Sequence, residues 1–126
     1  NETAPNGSWV KWNPDNHEGG PDVNGSRTRD PFIGLGHELA HVQDIWNGTI
    51  NRGIWFGTSI IGEIYATHVE NKIRAENNLP LRKSYDKEGT HRVLDGQNRS
   101  LYFDSLEDHH SKYYQIRPKN SRYVYK

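Results

Sequence analysis

The sequence predicts a small α+β domain. Three observations carry this: two amphipathic stretches of helical length, short runs of strand character before and after them, and Gly-, Asn- and Pro-rich segments in between. With 126 residues the chain has room for one ordinary domain, residues 1–126. Its apolar core is expected to be thin, because Leu, Ile, Val and Phe together make up just under a fifth of the residues. Disorder would also require a high net charge, and 16 basic residues here balance 16 acidic ones. Four Trp and seven Tyr supply large buried areas from few positions.

Composition excludes several functions. A balanced charge with pI near 7.2 leaves no electrostatic footprint for nucleic acid. No apolar run approaches the ~18 residues of a membrane span. The absence of Cys removes a disulfide scaffold, a thiolate metal site and a Cys nucleophile together. Asn at position 1 and the absence of Met suggest a segment cut from a longer protein.

In chain order, Ser8–Trp12 alternates and reads as a short strand, and Asn13–Arg29 reads as loop. Asp30-Pro31 is a helix start: an acidic N-cap, then Pro where its missing N–H costs nothing. Leu35, Leu39, Val42 and Trp46 follow at spacings of 4, 3 and 4, a helical stripe that ends at Asn47-Gly48. A second helix is expected from about Thr58 to Asn77, stopped by Asn77-Asn78 and Pro80. His91–Leu94, Asp95–Asn98 and Ser100–Phe103 read as strand, turn and strand. Lys112–Arg117 and Ser121–Lys126 read as strands or an ordered tail. Five of the seven Tyr follow position 100 and are expected to patch the thin core.

Within the first helix, His37-Glu38-Leu39-Ala40-His41 is an HExxH motif. Residues i and i+4 share a helix face, so both imidazoles can reach one metal ion, while Glu38, one residue along, can reach water beside that ion. The two His and Asp44 lie opposite the Leu35/Leu39/Val42/Trp46 stripe. Gly34 and Gly36 each cost ~1 kcal/mol relative to Ala inside a helix. Close backbone approach near the metal would explain both.

Catalytic zinc usually takes three protein ligands and a water. The extended HExxHxxGxxH pattern fails, because Asp44 and Asn47 occupy its Gly and third His positions. Asp44, Glu63, His68 and Glu70 compete for the third place. Asp44 would have to reach about 4.5 Å along its own helix. His68 lies about 140° around the second helix from Glu63, at 100° per residue. Glu63 and Glu70 share a stripe about 10 Å apart, so only one can touch the ion, and Glu70 is better placed to pair with Arg74. Glu63 lies nearer the loop that returns from the first helix. His17, His91 and His109-His110 show no partner in the sequence and read as surface residues.

The ordered set Gly36-His-Glu-Leu-Ala-His41, Gly62-Glu63-x-x-x-Thr67, Glu70-Asn-x-Ile-Arg74-x-Glu76 and Leu79-Pro-Leu-Arg-x-Ser-Tyr85 resembles the NleD-like effector metallopeptidases. Similar domains end Rhs-repeat polymorphic toxins. The resemblance runs from about Trp9 to Tyr85. It implies a zincin-like fold and a zinc endopeptidase of the gluzincin type, acting on a protein substrate. It also implies secretion or delivery into a target cell as part of a larger bacterial protein. His37, His41 and Glu63 would hold Zn2+, and Glu38 would be the catalytic Glu. Thermolysin-like gluzincins carry Asp where Thr67 stands, so that contact to a ligand is missing from the pattern. Tyr85 or Arg82 is a candidate hydrogen-bond donor to a tetrahedral oxyanion.

Hydrolysis of a peptide bond is therefore the expected activity, with Glu38 taking a proton from water and returning it to the leaving amine. A catalytically silent zincin-like binding module is the alternative, although such a module has no use for Glu38. A zinc hydrolase acting on a non-peptide amide is a third reading.

Overall fold

The computed structural model describes residues 1–105 and 122–126. Among them are three helices and two antiparallel two-stranded sheets, an α+β arrangement. Lys112–Arg117 and His109-His110 lie outside the described residues.

Strand β1 (Glu2–Thr3) pairs with β2 (Val10–Lys11) in the register Thr3↔Val10, inside the stretch expected to be a strand. Ala4 N–H donates to Trp9 O at 2.9 Å and closes the turn between them. The following loop is held by Asn side chains that accept from the backbone two residues on, at Asp15 and Glu18.

Helix α1 spans Pro31–Trp46, with Pro at its first turn as expected, although the Asp30 carboxylate makes no capping hydrogen bond. Gly48, at φ +68°, ends it in the left-handed conformation that Gly adopts without strain.

The second helix starts later than its apolar spacing suggests. Ile54–Phe56 (β3) and Ser59–Ile60 (β4) form a hairpin, and helix α2 runs over Gly62–Glu76. Ile61 N–H donates to Gly53 O and Gly62 N–H to Asn51 O, both at 2.8 Å, which commits the Ile60-Ile61 pair to the hairpin. At the far end Asn78 takes φ +56°, and Leu79 N–H returns to Arg74 O at 2.8 Å.

Beyond α2, the expected hairpin keeps its turn and little of its ladder. Asp95 N–H donates to Arg99 O at 2.9 Å, and Leu94 and Ser100 form an isolated bridge. Tyr102–Ser105 is a helical turn, α3, instead of a strand. Val124 bridges back to Arg99. Tyr102, Phe103, Tyr123 and Tyr125 surround the buried His68 ring at centroid distances of 5.0–5.5 Å, so the late tyrosines within the described residues pack over it while staying half-buried themselves.

Helices α1 and α2 pack on each other, and β1 lies against α1. The face that α1 buries is the reverse of the one its stripe suggests. His37, Glu38, Ala40, His41 and Asp44 are buried, whereas Leu39 is 51 % and Trp46 71 % exposed. His37, His41 and Glu38 find their partners on α2 and β1, and Asp44 finds Thr49 in the loop that follows, so hydrogen bonding orients this helix. The fully buried side chains accordingly include Glu70, Asn71, Thr67, Ser84 and Ser100 beside Ile33 and Leu94.

The two helical glycines are explained by close neighbours, from α2 at Gly36 and from the chain before α1 at Gly34. A Cβ on Gly36 would stand 2.5 Å from Ile73 Cδ1 of α2. One on Gly34 would meet Arg29 Nη2 at 3.0 Å and Asn1 Nδ2 at 2.8 Å. These bare backbones admit α2 and Arg29, not a metal ion.

Candidate active site

His37 and His41, one turn apart on α1, bring their rings to 5.0 Å between centroids at 78°. Both aim Nε2 at a single atom, Oε1 of Glu63 in the first turn of α2. The distances are 3.2 Å from His37 and 2.5 Å from His41. Glu38 belongs to the same cluster: a ligand atom from each of His37, Glu38 and His41 lies within 4.8 Å of the others. Tyr85 O–H donates to the second oxygen of Glu63 at 2.7 Å, and the Tyr85 ring stacks 6.2 Å from that of His37. Burial first, then the nearby Glu63 carboxylate, raises the Tyr85 pKa above its ordinary value, so the phenol keeps its proton.

Behind His37 stands Glu70, with a fully buried side chain. Its Oε1 lies 2.9 Å from His37 Nδ1, 3.2 Å from Arg29 Nη1 and 2.8 Å from Arg82 Nη1. Its Oε2 accepts from Arg74 Nε and Nη2, each at 3.0 Å, which makes the expected pair one turn along the helix. Burial opposes ionisation of Glu70, but the Arg82 charge and the His37 contact outweigh it and hold the pKa well below the carboxylate range. A carboxylate can only accept, so His37 Nδ1 carries the proton of that bond.

This arrangement tests whether a cation suits the site. With its proton on Nδ1, His37 turns an Nε2 lone pair toward Glu63 Oε1, and two acceptors cannot share a hydrogen bond. A positive centre between them resolves the conflict. It can be a second proton on His37, whose pKa is raised by its Glu63 and Glu70 hydrogen bonds despite burial, or a metal ion. Two imidazole nitrogens and one carboxylate oxygen form a familiar catalytic zinc donor set, and the carboxylate behind a ligand His sets its tautomer. The residues fit the ion.

The other candidates are occupied elsewhere. Asp44 accepts from Thr49 Oγ1 at 2.6 Å. His68 Nδ1 lies 2.8 Å from Ser100 Oγ and 2.7 Å from Tyr125 O–H, inside the aromatic cluster. Arg82 spends its guanidinium on Glu70, Ser84 O and Tyr85 O, and its backbone is clamped by the Asn71 amide. Tyr85 is at the centre, but its one proton goes to Glu63. Thr67, at the position where thermolysin-like enzymes carry Asp, donates to Glu63 O within its own helix at 2.8 Å. His91 stacks on Phe56 at 4.3 Å beside Trp55.

Three residues at or near the centre carry no signal in the sequence. Arg29 and Thr3 reach it from the loop and strand before α1, where no local pattern marks them. Trp55, 6.2 Å from the Tyr85 ring, sits on the unexpected hairpin. The helical spacing gives Glu70 its pairing with Arg74 but no sign of its contact with His37. Two cavities flank the centre, of 330 and 290 Å³, and Glu38 and Tyr85 line both.

The family model Peptidase M91, described as effector protein, matches residues 1–59. The match takes in the whole HExxH helix and stops four residues before Glu63. It supports kinship of this part of the chain with an effector peptidase family. Comparison with curated proteins finds no match, and neither does comparison with solved structures.

Proposed function

We propose that the protein is a zincin-like, zinc-dependent endopeptidase, an effector or toxin domain that cleaves a protein substrate inside a target cell. The observation that carries this reading is the convergence of His37, His41 and Glu63 at one point with Glu38 beside it. The match to an effector peptidase family over residues 1–59 supports it independently.

In this reading His37 Nε2, His41 Nε2 and Glu63 Oε1 hold the ion. Zinc, when bound, supplies Lewis acidity that polarises the scissile carbonyl and acidifies water. Glu38 takes a proton from the attacking water as its oxygen bonds to the carbonyl carbon, then gives that proton to the amine as the C–N bond breaks. Tyr85 holds Glu63 by its second oxygen, which leaves Oε1 toward the imidazoles. Glu70 keeps the His37 proton on Nδ1. The two flanking cavities give a peptide room on both sides of Glu38.

The test is metal content and cleavage of a random peptide library. Wild type should bind one zinc and cleave; His41→Ala should lose the zinc; Glu38→Gln should keep it and lose cleavage by at least about 100-fold, in the range of a general base. Cleavage by Glu38→Gln within a few-fold of wild type would remove Glu38 as base. A zinc-loaded wild type that cleaves nothing would favour the silent binding module.

A further inference from the structure

Glu38, the residue to which the proposed function assigns the proton transfer, has a partner from a distant part of the chain. Thr3 Oγ1 lies 3.0 Å from Glu38 Oε1 and 3.1 Å from the Glu38 backbone oxygen. Both are acceptors, so the hydroxyl is the donor, and its single proton is shared between two oxygens of one residue. Thr3 is held in place independently of this contact. It pairs with Val10 across the β1–β2 sheet, and its neighbour Ala4 is 1 % exposed and bonds to Trp9 O. The strand lies against α1 beside the HExxH residues and also lines the 290 Å³ cavity.

We propose that Thr3 is a positioning residue for the proton transfer by Glu38; this rests on the peptidase reading above. A glutamate side chain has three rotatable torsions, and its two oxygens exchange by a half-turn of the last. Donation to Oε1 breaks that equivalence. It locks the carboxylate plane, occupies one oxygen and leaves Oε2 as the atom that accepts the water proton. After transfer the Thr3 donation disfavours the proton on Oε1 and favours it on Oε2. The same oxygen then takes up and gives back the proton, and no torsion has to turn between the two halves of the reaction. The contact does not involve His37, His41 or Glu63, so its removal should spare metal binding.

Thr3→Val removes the hydroxyl at nearly constant shape, and Thr3→Ser keeps it. Both are compared with wild type in zinc content, melting temperature, kcat and KM on a quenched fluorogenic peptide taken from the library screen, and calorimetric affinity for acetohydroxamate, a probe that reads the Glu38 carboxylate without turnover. The expected result for Thr3→Val is unchanged zinc, a melting temperature lower by no more than about 12 °C, kcat lower by about tenfold with KM within twofold, and weaker acetohydroxamate binding, as befits one charge-assisted hydrogen bond. Thr3→Ser should stay within about threefold of wild type on every measure. Equal kcat in Thr3→Val and wild type would overturn the proposal, and so would a Thr3→Ser variant as impaired as Thr3→Val. Failure of wild type to cleave any library peptide would instead remove the peptidase reading, and Thr3 with it.

Discussion

Replacing Glu70 by Gln changes one oxygen into an amide nitrogen in a side chain that is fully buried. The carboxylate presents Oε1 to His37 Nδ1, Arg29 and Arg82, and Oε2 to two nitrogens of Arg74. All five contacts are with donors. Whichever way the Gln amide is turned, its –NH2 faces either the Arg74 pair or the other three, donor against donor, and three guanidinia lose their shared counter-charge. Burial and the neighbouring Arg82 and Arg74 charges already hold Arg29 below its ordinary pKa, so the cluster has no surplus of negative charge to absorb the loss.

Removing one partner of a buried ion pair costs about 3–5 kcal/mol. A chain of this length has a total stability of about 6–19 kcal/mol, so the variant should remain folded at 25 °C. Its melting temperature should fall by about 12–20 °C, at roughly 4 °C per kcal/mol for this size. Loss of the Nδ1 acceptor should also weaken zinc binding by about 10–100-fold, as is usual for the group behind a ligand imidazole. Thermal denaturation of the metal-free protein reads the first effect, and competition with a zinc chelator dye reads the second. A melting temperature within about 4 °C of wild type, roughly 1 kcal/mol, would show that Glu70 does not hold the arginines together. A melting temperature lower by the whole of about 12–20 °C with unchanged zinc affinity would separate the ion-pair cluster from the metal centre and refute the tautomer argument.

Two further outcomes follow from the same geometry. Leu39 is about half exposed, so Leu39→Gln should change the urea-unfolding free energy by less than about 0.5 kcal/mol, against 2–5 for truncating a core Leu; a loss above about 1.5 kcal/mol would restore the apolar stripe as the buried face. Burial disfavours the Asp86 carboxylate slightly, but the Ser84 and Thr90 hydroxyls and the His91 amide donate to it and hold its pKa well below the usual carboxylate range. A depressed folded pKa gives stability that is complete above the unfolded value and fades as pH falls toward the folded one. The urea midpoint of wild type should therefore exceed that of Asp86→Asn at pH 6 and move toward it as pH falls below about 4; a pH-independent gap would count against the anchoring role.

The parts of this molecule that could be read from sequence are those set within a few residues. Asp30-Pro31 and Asn47-Gly48 bracket α1, and the i, i+4 spacing of His37 and His41 puts both imidazoles on one face. Glu63 needs a longer argument, from its place in the first turn after the chain reverses, where its carboxylate faces both imidazoles. The buried side of α1 was not legible, because periodicity assumes that apolar side chains seek the interior. Here the interior is polar and its partners come from afar: Thr3 lies 35 residues from Glu38, and Arg29 and Glu70 are 41 apart. The β3–β4 hairpin was missed for a related reason. Ile60, Ile61 and Ile64 have helical spacing, but backbone bonds from Ile61 and Gly62 to Gly53 and Asn51 claim the first two.

These long-range contacts account for how a thin apolar core can be enough. Arg29 ends the long loop before α1, Arg74 sits on α2, and Arg82 belongs to the segment after it; Glu70 ties all three to His37. The Arg29 and Arg82 bonds tie the segments on either side of α2 to its buried face, and the same carboxylate restricts the His37 imidazole of the proposed metal centre. Fold and site thus draw on one network. An ion bound by His37, His41 and Glu63 would cross-link α1 to α2 at the point where that network ends, so zinc should raise the melting temperature with a concentration dependence set by its affinity. In Glu70→Gln the same zinc should recover less of the lost stability than its concentration alone would give, because the His37 ring it needs is no longer held.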